Sequence, residues 1–141
     1  MSTDSLPARV RVQIEVSKGG HIKRSSSGHV DYISPLPCPF NYGSIPGSEA
    51  ADGEPEDAVV LGGPLPAGHS GDYAVVAWVD FLDAGVKDPK FICAQGKVSE
   101  EELRAVARFF RRYARIKAPL NRLRGKRGKT RFRGITVLAE K

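Results

Sequence analysis

The sequence predicts an α+β protein in which a small β-barrel packs against one main helix. Several short segments have the residue pattern of strands and are separated by Gly and Pro. One segment, at about residues 99–117, has the apolar repeat of a helix. Because 141 residues suffice for a single modest core, we interpret residues 1–141 as one domain, with a basic C-terminal segment over residues 115–141.

The strands are predicted from alternation, apolar content and flanking turn residues. Apolar and polar residues alternate from Arg9 to Val16, which predicts a strand with one buried face. The stretch from Asn41 to Gly47 follows three closely spaced prolines and is predicted to be an ordered loop. Other strands are predicted at 58–61, 73–81, 90–94 and 130–138, and a hairpin tip at 25–28 is followed by a strand within 29–34.

The helix has a clear start and a predicted end. Ser99 and Glu102 have the spacing of a capping box, in which each side chain accepts a hydrogen bond from the other residue's backbone. Pro119 is predicted to end the helix. The apolar residues that repeat on one face are Leu103, Val106, Ala107, Phe110 and Tyr113.

Composition and charge narrow the function classes. No apolar run approaches the roughly 20 residues of a membrane span, and the N-terminus has no apolar core of a signal peptide, so we expect a soluble, cytoplasmic protein with no membrane partner. Cys38 and Cys93 are too few for a disulfide framework or a zinc site, and we expect both to be packed. The net charge is +6, and every charged residue from Arg104 to Arg133 is basic, so this region can attract polyanions.

Acidic residues concentrate elsewhere, with four in the six positions from Asp52 to Asp57. A solvated acidic turn explains this composition by itself. The alternative is a site for Mg²⁺, Mn²⁺ or Ca²⁺, because carboxylate oxygens are ligands that these cations prefer.

Four separated motifs resemble those of the family I soluble inorganic pyrophosphatases. The runs PFNYGSIP at 39–46 and DGEPED at 52–57 are similar to the family's signature region, and VQIEV at 12–16, followed by a lysine at position 23, resembles its first strand. Asp83, Asp88 and Lys90 have the spacing of a further family motif, and RFFRRY at 108–113 resembles the helix with a phosphate-binding tyrosine. The matches run in order from Val10 to Tyr113, a span of about three-quarters of the chain.

The resemblance implies a five-stranded barrel related to the OB-fold, with the site at its open end, and hydrolysis of pyrophosphate that depends on Mg²⁺ or alternatively Mn²⁺. It implies that Glu54 stands at the general-base position and that Asp57 bridges the metals that activate water. The implied metal ligands are Glu15, Asp52, Asp57, Asp83 and Asp88, and the implied phosphate ligands are Lys23, Tyr42, Lys90 and Tyr113.

The sequence also departs from the family pattern. The general base is an aspartate in the family and Glu54 here, while Cys38 and Ala114 replace a tyrosine and a lysine of the phosphate site. Near Val30 an arginine is missing. These substitutions predict a reduced activity, and we name Arg24 as a candidate replacement cation, with the exposed helix arginines Arg112 and Arg115 as alternatives.

Other functions stay open. The missing phosphate ligands are compatible with a different phosphoanhydride substrate. A non-enzymatic alternative is a metal-binding barrel whose basic face binds nucleic acid or a partner chain, although Phe132 is the one aromatic residue in the C-terminal run from Asn121 to Arg133. The resemblance further implies a homo-oligomer, by default a hexamer.

Overall fold

The computed structural model describes residues 8–20, 22–24, 30–33, 37–51 and 53–138, with backbone alone in the second and third of these ranges. Within this part of the chain, nine strands and one helix form. They are β1 (Arg9–Val16), β2 (Ile22–Arg24), β3 (Val30–Ile33), β4 (Asn41–Ile45), β5 (Glu56–Leu61), β6 (Ser70–Asp83), β7 (Val86–Lys87), β8 (Lys90–Ala94), α1 (Glu100–Leu123) and β9 (Arg131–Val137).

Five of the strands close into a ring. Strand β1 pairs with β4 and β6, β5 pairs with β4 and β8, and β8 pairs with β6. The β5–β8 pair is parallel, and the other four pairs of the ring are antiparallel. Strands β7 and β9 also pair with β6, while β2 and β3 form a separate two-stranded sheet. The predicted α+β, OB-like fold with one main helix is therefore confirmed, and the ring of five strands stands where the five-stranded barrel was predicted.

The strands bury side chains on both faces, in two core clusters. One cluster contains Val59, Val79 and Ile92 together with Val106 and Phe110 of α1, so it joins the sheet to the helix. The other contains apolar side chains of β1, β4, β5 and β8, among them Val12, Val60 and Cys93. Burial on both faces explains why β5 and β8 have short continuous apolar runs instead of alternation.

The predicted loop over residues 41–47 is wrong in part, because Asn41–Ile45 is strand β4. Asn41 and Gly43, which suggested a loop, instead make contacts with other strands. Asn41 is fully buried, where its amide nitrogen donates to the carbonyls of Val60 and Gly63 and its oxygen accepts from the backbone of Lys18 and Leu65. At Gly43 a side chain would overlap the Gln13 carbonyl of β1, so glycine permits the close strand approach.

The helix begins as predicted and ends later than predicted. Ser99 is the N-cap, and the capping box with Glu102 is formed. Pro119 lies inside the helix, which continues to Leu123. Beyond the proline, the buried Asn121 hydrogen-bonds to Asp83 and Thr130, and we infer that these contacts hold the last turn in place despite the donor that Pro119 lacks.

The other strand predictions are largely confirmed. Strands β1 and β8 have the predicted bounds, and β5, β6 and β9 overlap the predicted segments. Strand β3 lies within the predicted returning strand, whereas the hairpin tip at residues 25–28 lies outside the described residues. Among the described residues, no helix is long and apolar enough to cross a bilayer.

Both cysteines are buried free thiols, as predicted, and should resist thiol reagents. Burial raises the pKa of Cys38 to about 12 and that of Cys93 to about 12. At pH 8 only about one thiol in ten thousand would then be a reactive thiolate. We expect negligible reaction with an aromatic disulfide reagent in buffer and reaction of both thiols in urea. Rapid labelling of the folded protein would contradict this.

Candidate active site

The pairing of three strands brings Asp57 and Lys90 together. Asp57 of β5 lies opposite Lys90 of the parallel strand β8, and Lys90 lies opposite Val79 of β6. Side chains two residues apart on a strand point to the same face, so Asp57 shares its face with Val59 and Lys90 shares its face with Ile92. Both polar residues therefore continue the face that packs against α1.

Lys90 is held between two carboxylates. Its Nζ donates to Oδ2 of Asp57 at 2.7 Å and to Oδ2 of Asp88 at 2.8 Å. The lysine side chain is 4% exposed, and the two aspartates are about one-fifth exposed. We call these three residues the lysine-centred cluster. Its open side presents two carboxylates to solvent while the ammonium lies behind them.

The charges of this cluster depend on one another. Burial alone would lower the pKa of Lys90, but the carboxylates of Asp57 and Asp88 outweigh it, so the pKa lies above its ordinary value and the ammonium stays charged. Burial raises the pKa of Asp88, and nearby Asp57 and Asp83 raise it further against the opposing effect of Lys90. With two carboxylates on one ammonium, the ionised cluster has a formal charge of −1.

A second ion pair lies beside the cluster. Asp83, the last residue of β6, accepts from Lys117 Nζ at 2.9 Å and from the amide of Asn121 at 2.8 Å. Burial would raise the pKa of Asp83, but these two hydrogen bonds lower it below its usual value. Lys117 was not predicted as a site residue, although it lies one helical turn after Tyr113, and that spacing could have indicated it.

Aromatic rings surround the two lysines. Lys90 Nζ lies 6.0 Å from the ring centre of Tyr42 and 5.8 Å from that of Phe81. Lys117 Nζ lies 5.6 Å from the ring centre of Tyr113. The Tyr113 ring also packs against Phe81. Tyr113 is therefore both a packed side chain and a neighbour of the Lys117 ammonium.

Glu15 and Glu54 are placed by local backbone features. Glu15 is the extra residue of a β-bulge, since Ile14 lies opposite Gly43 and Val16 lies opposite Tyr42. Bulges re-aim side chains, and they are frequent next to active sites. Glu54 is exposed and follows Gly53, whose φ of 84° suits glycine. Its carbonyl accepts from the backbone of Ala50 at 2.7 Å, which ties the turn together.

The remaining predicted positions are described incompletely or not at all. Asp52 lies outside the described residues, and Lys23 and Arg24 are described through the backbone of β2 alone. Cys38 and Ala114, the two positions at which the resemblance implies a lost phosphate ligand, are both buried. The exposed Arg115 lines a groove that contains no residue of the lysine-centred cluster.

The donor chemistry suits a hard divalent cation. In the described part of the chain, no group of three or more His, Cys, Asp or Glu side chains has metal-site geometry by itself. Asp57 and Asp88 nevertheless converge on one positive charge, the Lys90 ammonium, so their oxygens are arranged for a cation. Mg²⁺ usually keeps several waters and needs one or two protein carboxylates, so these residues fit it.

Comparison with known proteins identifies the family. The sequence profile of the inorganic pyrophosphatases matches residues 6–133. The chain belongs to the inorganic pyrophosphatase family. A relative named inorganic pyrophosphatase from Gluconobacter oxydans is 41% identical over 63 residues, which are 40% of this chain and 36% of that protein. The match thus spans about one-third of that relative's length.

Solved structures of the family share the fold. An inorganic pyrophosphatase from Coxiella burnetii superposes with a TM-score of 0.74 at 21% identity, covering 94% of this chain and 90% of that one. The inorganic pyrophosphatase from Thermus thermophilus gives a TM-score of 0.74 at 24% identity, with coverages of 95% and 85%. The resemblance inferred from the motifs is therefore confirmed.

Proposed function

We propose that this protein hydrolyses inorganic pyrophosphate to two phosphates with the help of divalent cations, Mg²⁺ or Mn²⁺. The observation that carries the proposal is the lysine-centred cluster, found in a chain that belongs to the inorganic pyrophosphatase family. A buried lysine beside partly exposed carboxylates combines a group for phosphate oxygens with oxygens for metal ions.

The residues divide into three roles. Carboxylates hold the cations; we assign this role to Glu15, Asp52, Asp57, Asp83 and Asp88. Cations bound there would lower the pKa of a bound water and neutralise charge on the phosphoryl oxygens. Because Asp57 and Asp88 already share Lys90, incoming cations would take over part of its role, and the ammonium is then positioned to donate to phosphate.

Phosphate is bound by the lysines and tyrosines around the cluster. We assign this role to Lys90, Tyr42 and Tyr113, with Lys23 and Arg24 as further ligands. Lys117 supports the proposal as a fixed positive charge beside Asp83, near the place where the family's helix lysine is replaced by Ala114. Charge-assisted hydrogen bonds of this kind stabilise the charge that develops on oxygen during phosphoryl transfer.

Glu54 is the proposed proton acceptor. The water oxygen forms a bond to one phosphorus as its proton passes to the Glu54 carboxylate, and the bond from that phosphorus to the bridging oxygen breaks. The bridging oxygen leaves with the second phosphate, so one water and one pyrophosphate give two phosphates. The exposed position of Glu54 in a tied turn supports this role, because a base in this step must reach solvent water.

Changing Glu54 to Asp should raise turnover. The extra methylene of glutamate displaces the carboxylate by about 1 Å, and misplacement of that size costs up to about 10²-fold in rate. We therefore expect Glu54→Asp to release phosphate from pyrophosphate about ten-fold faster than the unaltered protein. Glu49→Asp, at an exposed position outside the proposed site, is the matched control and should change nothing. A slower Glu54→Asp enzyme would contradict the assignment.

A substrate screen tests the choice of pyrophosphate. Phosphate release should be measured with equal concentrations of pyrophosphate, tripolyphosphate and a nucleoside triphosphate, in Mg²⁺ and in Mn²⁺. We expect pyrophosphate to give the highest kcat/KM. A higher value for either other compound would favour the alternative, in which the missing phosphate ligands open the site to a different phosphoanhydride.

We also propose that the protein is a homo-oligomer, with the hexamer implied by the family resemblance. Large apolar side chains exposed near the ends of α1 and β9 support an interface; they are Leu120, Leu123, Val137 and Leu138. Light scattering on the purified protein should give a mass several times that of one chain, and the mass of one chain would contradict it. The cytoplasmic location stays a prediction.

A further inference from the structure

A groove of about 540 Å³ runs between the second half of α1 and strand β9. Four arginines line it: Arg111, Arg115, Arg122 and Arg131. None of the described residues that line it is acidic, and none belongs to the lysine-centred cluster. The groove is therefore a concentrated positive surface that the proposed hydrolysis does not use.

The helix residues of the groove form one stripe. Arg111, Arg115, Ala118 and Arg122 follow one another at intervals of four, three and four residues, which places them on one face of α1. The short side chain of Ala118 leaves space between the flanking guanidinium groups. Like charges four residues apart on a helix repel each other, so this stripe costs stability unless an anion lies against it.

The groove arginines have no acidic partners in the described part of the chain. Other arginines of the same elements do, since Arg104 and Arg108 pair with glutamates of the first helical turn and Arg133 pairs with Asp80 at 2.8 Å. The guanidinium of Arg111 instead lies 5.5 Å from the ring centre of Phe132. Arg104, Arg108 and Arg133 are thus paired with carboxylates, whereas the arginines that line the groove are available to an anion.

We propose that this groove binds an oligophosphate, a small anion with two or more linked phosphate groups. Guanidinium groups bind phosphate through paired, charge-assisted hydrogen bonds, and several of them match several phosphates. The volume is in the range of small-molecule sites. One aromatic side chain provides little surface for stacking successive bases, which favours a small anion over single-stranded nucleic acid. The proposal does not depend on hydrolysis at the lysine-centred cluster.

Calorimetric titration with tripolyphosphate tests the proposal. The full chain is titrated in EDTA, so that no divalent cation bridges the anion to the carboxylates. We expect saturable binding, weakened at least about ten-fold in the double variant Arg115→Gln/Arg122→Gln because two charge-assisted contacts are lost. The matched control is Arg124→Gln/Arg127→Gln, which removes two exposed charges of the same basic segment outside the groove and should change affinity less than about two-fold.

Three outcomes would overturn the proposal. Equal weakening in both double variants would show that diffuse charge binds the anion. A titration without saturation would show that no built site exists. A 12-nucleotide single-stranded RNA that binds more tightly than tripolyphosphate at the same salt, and loses that affinity in the groove variant, would assign the groove to nucleic acid. Because all four replaced arginines are exposed, unchanged melting temperatures will show that each variant folds.

Discussion

Asp57→Asn is expected to lower phosphate release from pyrophosphate by about 10²- to 10³-fold or more. Asp57 is the proposed ligand of the cations that activate water, and its carboxylate belongs to the lysine-centred cluster. It lies in β5, its Oδ2 is 2.7 Å from Lys90, and it would hold the cations that activate water. The amide has nearly the same shape but no negative charge, so the substitution removes the electrostatic contribution while it leaves the packing intact.

The matched control for Asp57→Asn is Asp72→Asn. Asp72 is an exposed strand residue that pairs weakly with Arg11 at 3.6 Å, and its loss should leave the rate within about two-fold. Both variants should be measured by phosphate release at saturating Mg²⁺, with circular dichroism to establish folding. If Asp57→Asn keeps the rate of the unaltered protein, the lysine-centred cluster is not the catalytic centre.

Lys90→Met is expected to destabilise the protein by about 3–5 kcal/mol in the absence of divalent cations. The methionine fills most of the volume but removes the ammonium that lies between Asp57 and Asp88. Two partly buried carboxylates then face each other without a counter-charge. For a domain of this size the melting temperature in EDTA should fall by about 10 °C or more.

Mg²⁺ should restore much of the stability that Lys90→Met loses. A cation bound to the two carboxylates replaces the missing charge and stabilises the folded state by mass action. The melting temperature of the variant should therefore rise more on Mg²⁺ addition than that of the unaltered protein. Lys87→Met, at an exposed position of β7, is the control and should show neither loss nor rescue. A variant that melts at the same temperature with and without Mg²⁺ would contradict a cation site at these carboxylates.

The sequence contained enough information to predict the family, the fold class and most element positions, but not every boundary. Strand β1 and the capping box at Ser99 depend on local patterns, and both were predicted correctly. Strand β4 and the last turn of α1 depend on tertiary contacts, namely the buried hydrogen bonds of Asn41 and Asn121. Glycine, proline and asparagine were interpreted from their local preferences alone, which carry no information about tertiary contacts. The start of β4 and the end of α1 were therefore missed.

The site was predicted by position, whereas its internal contacts required the structure. The family resemblance assigned Asp83, Asp88 and Lys90 to one site, but no sequence pattern shows that Lys90 is buried between Asp57 and Asp88. Lys117 was missed because its role arises where the end of β6 meets α1, and contacts between distant segments leave little trace in one sequence. The assignments of the individual site residues stay predictions until the variants are measured.

The most direct test of this account is phosphate release from pyrophosphate by the unaltered protein, with Mg²⁺ and with EDTA. We expect two phosphates for each pyrophosphate consumed in Mg²⁺. Release should fall to the uncatalysed rate in EDTA and return when Mg²⁺ is added in excess. No release in Mg²⁺, or equal release in Mg²⁺ and in EDTA, would contradict a cation-dependent pyrophosphatase.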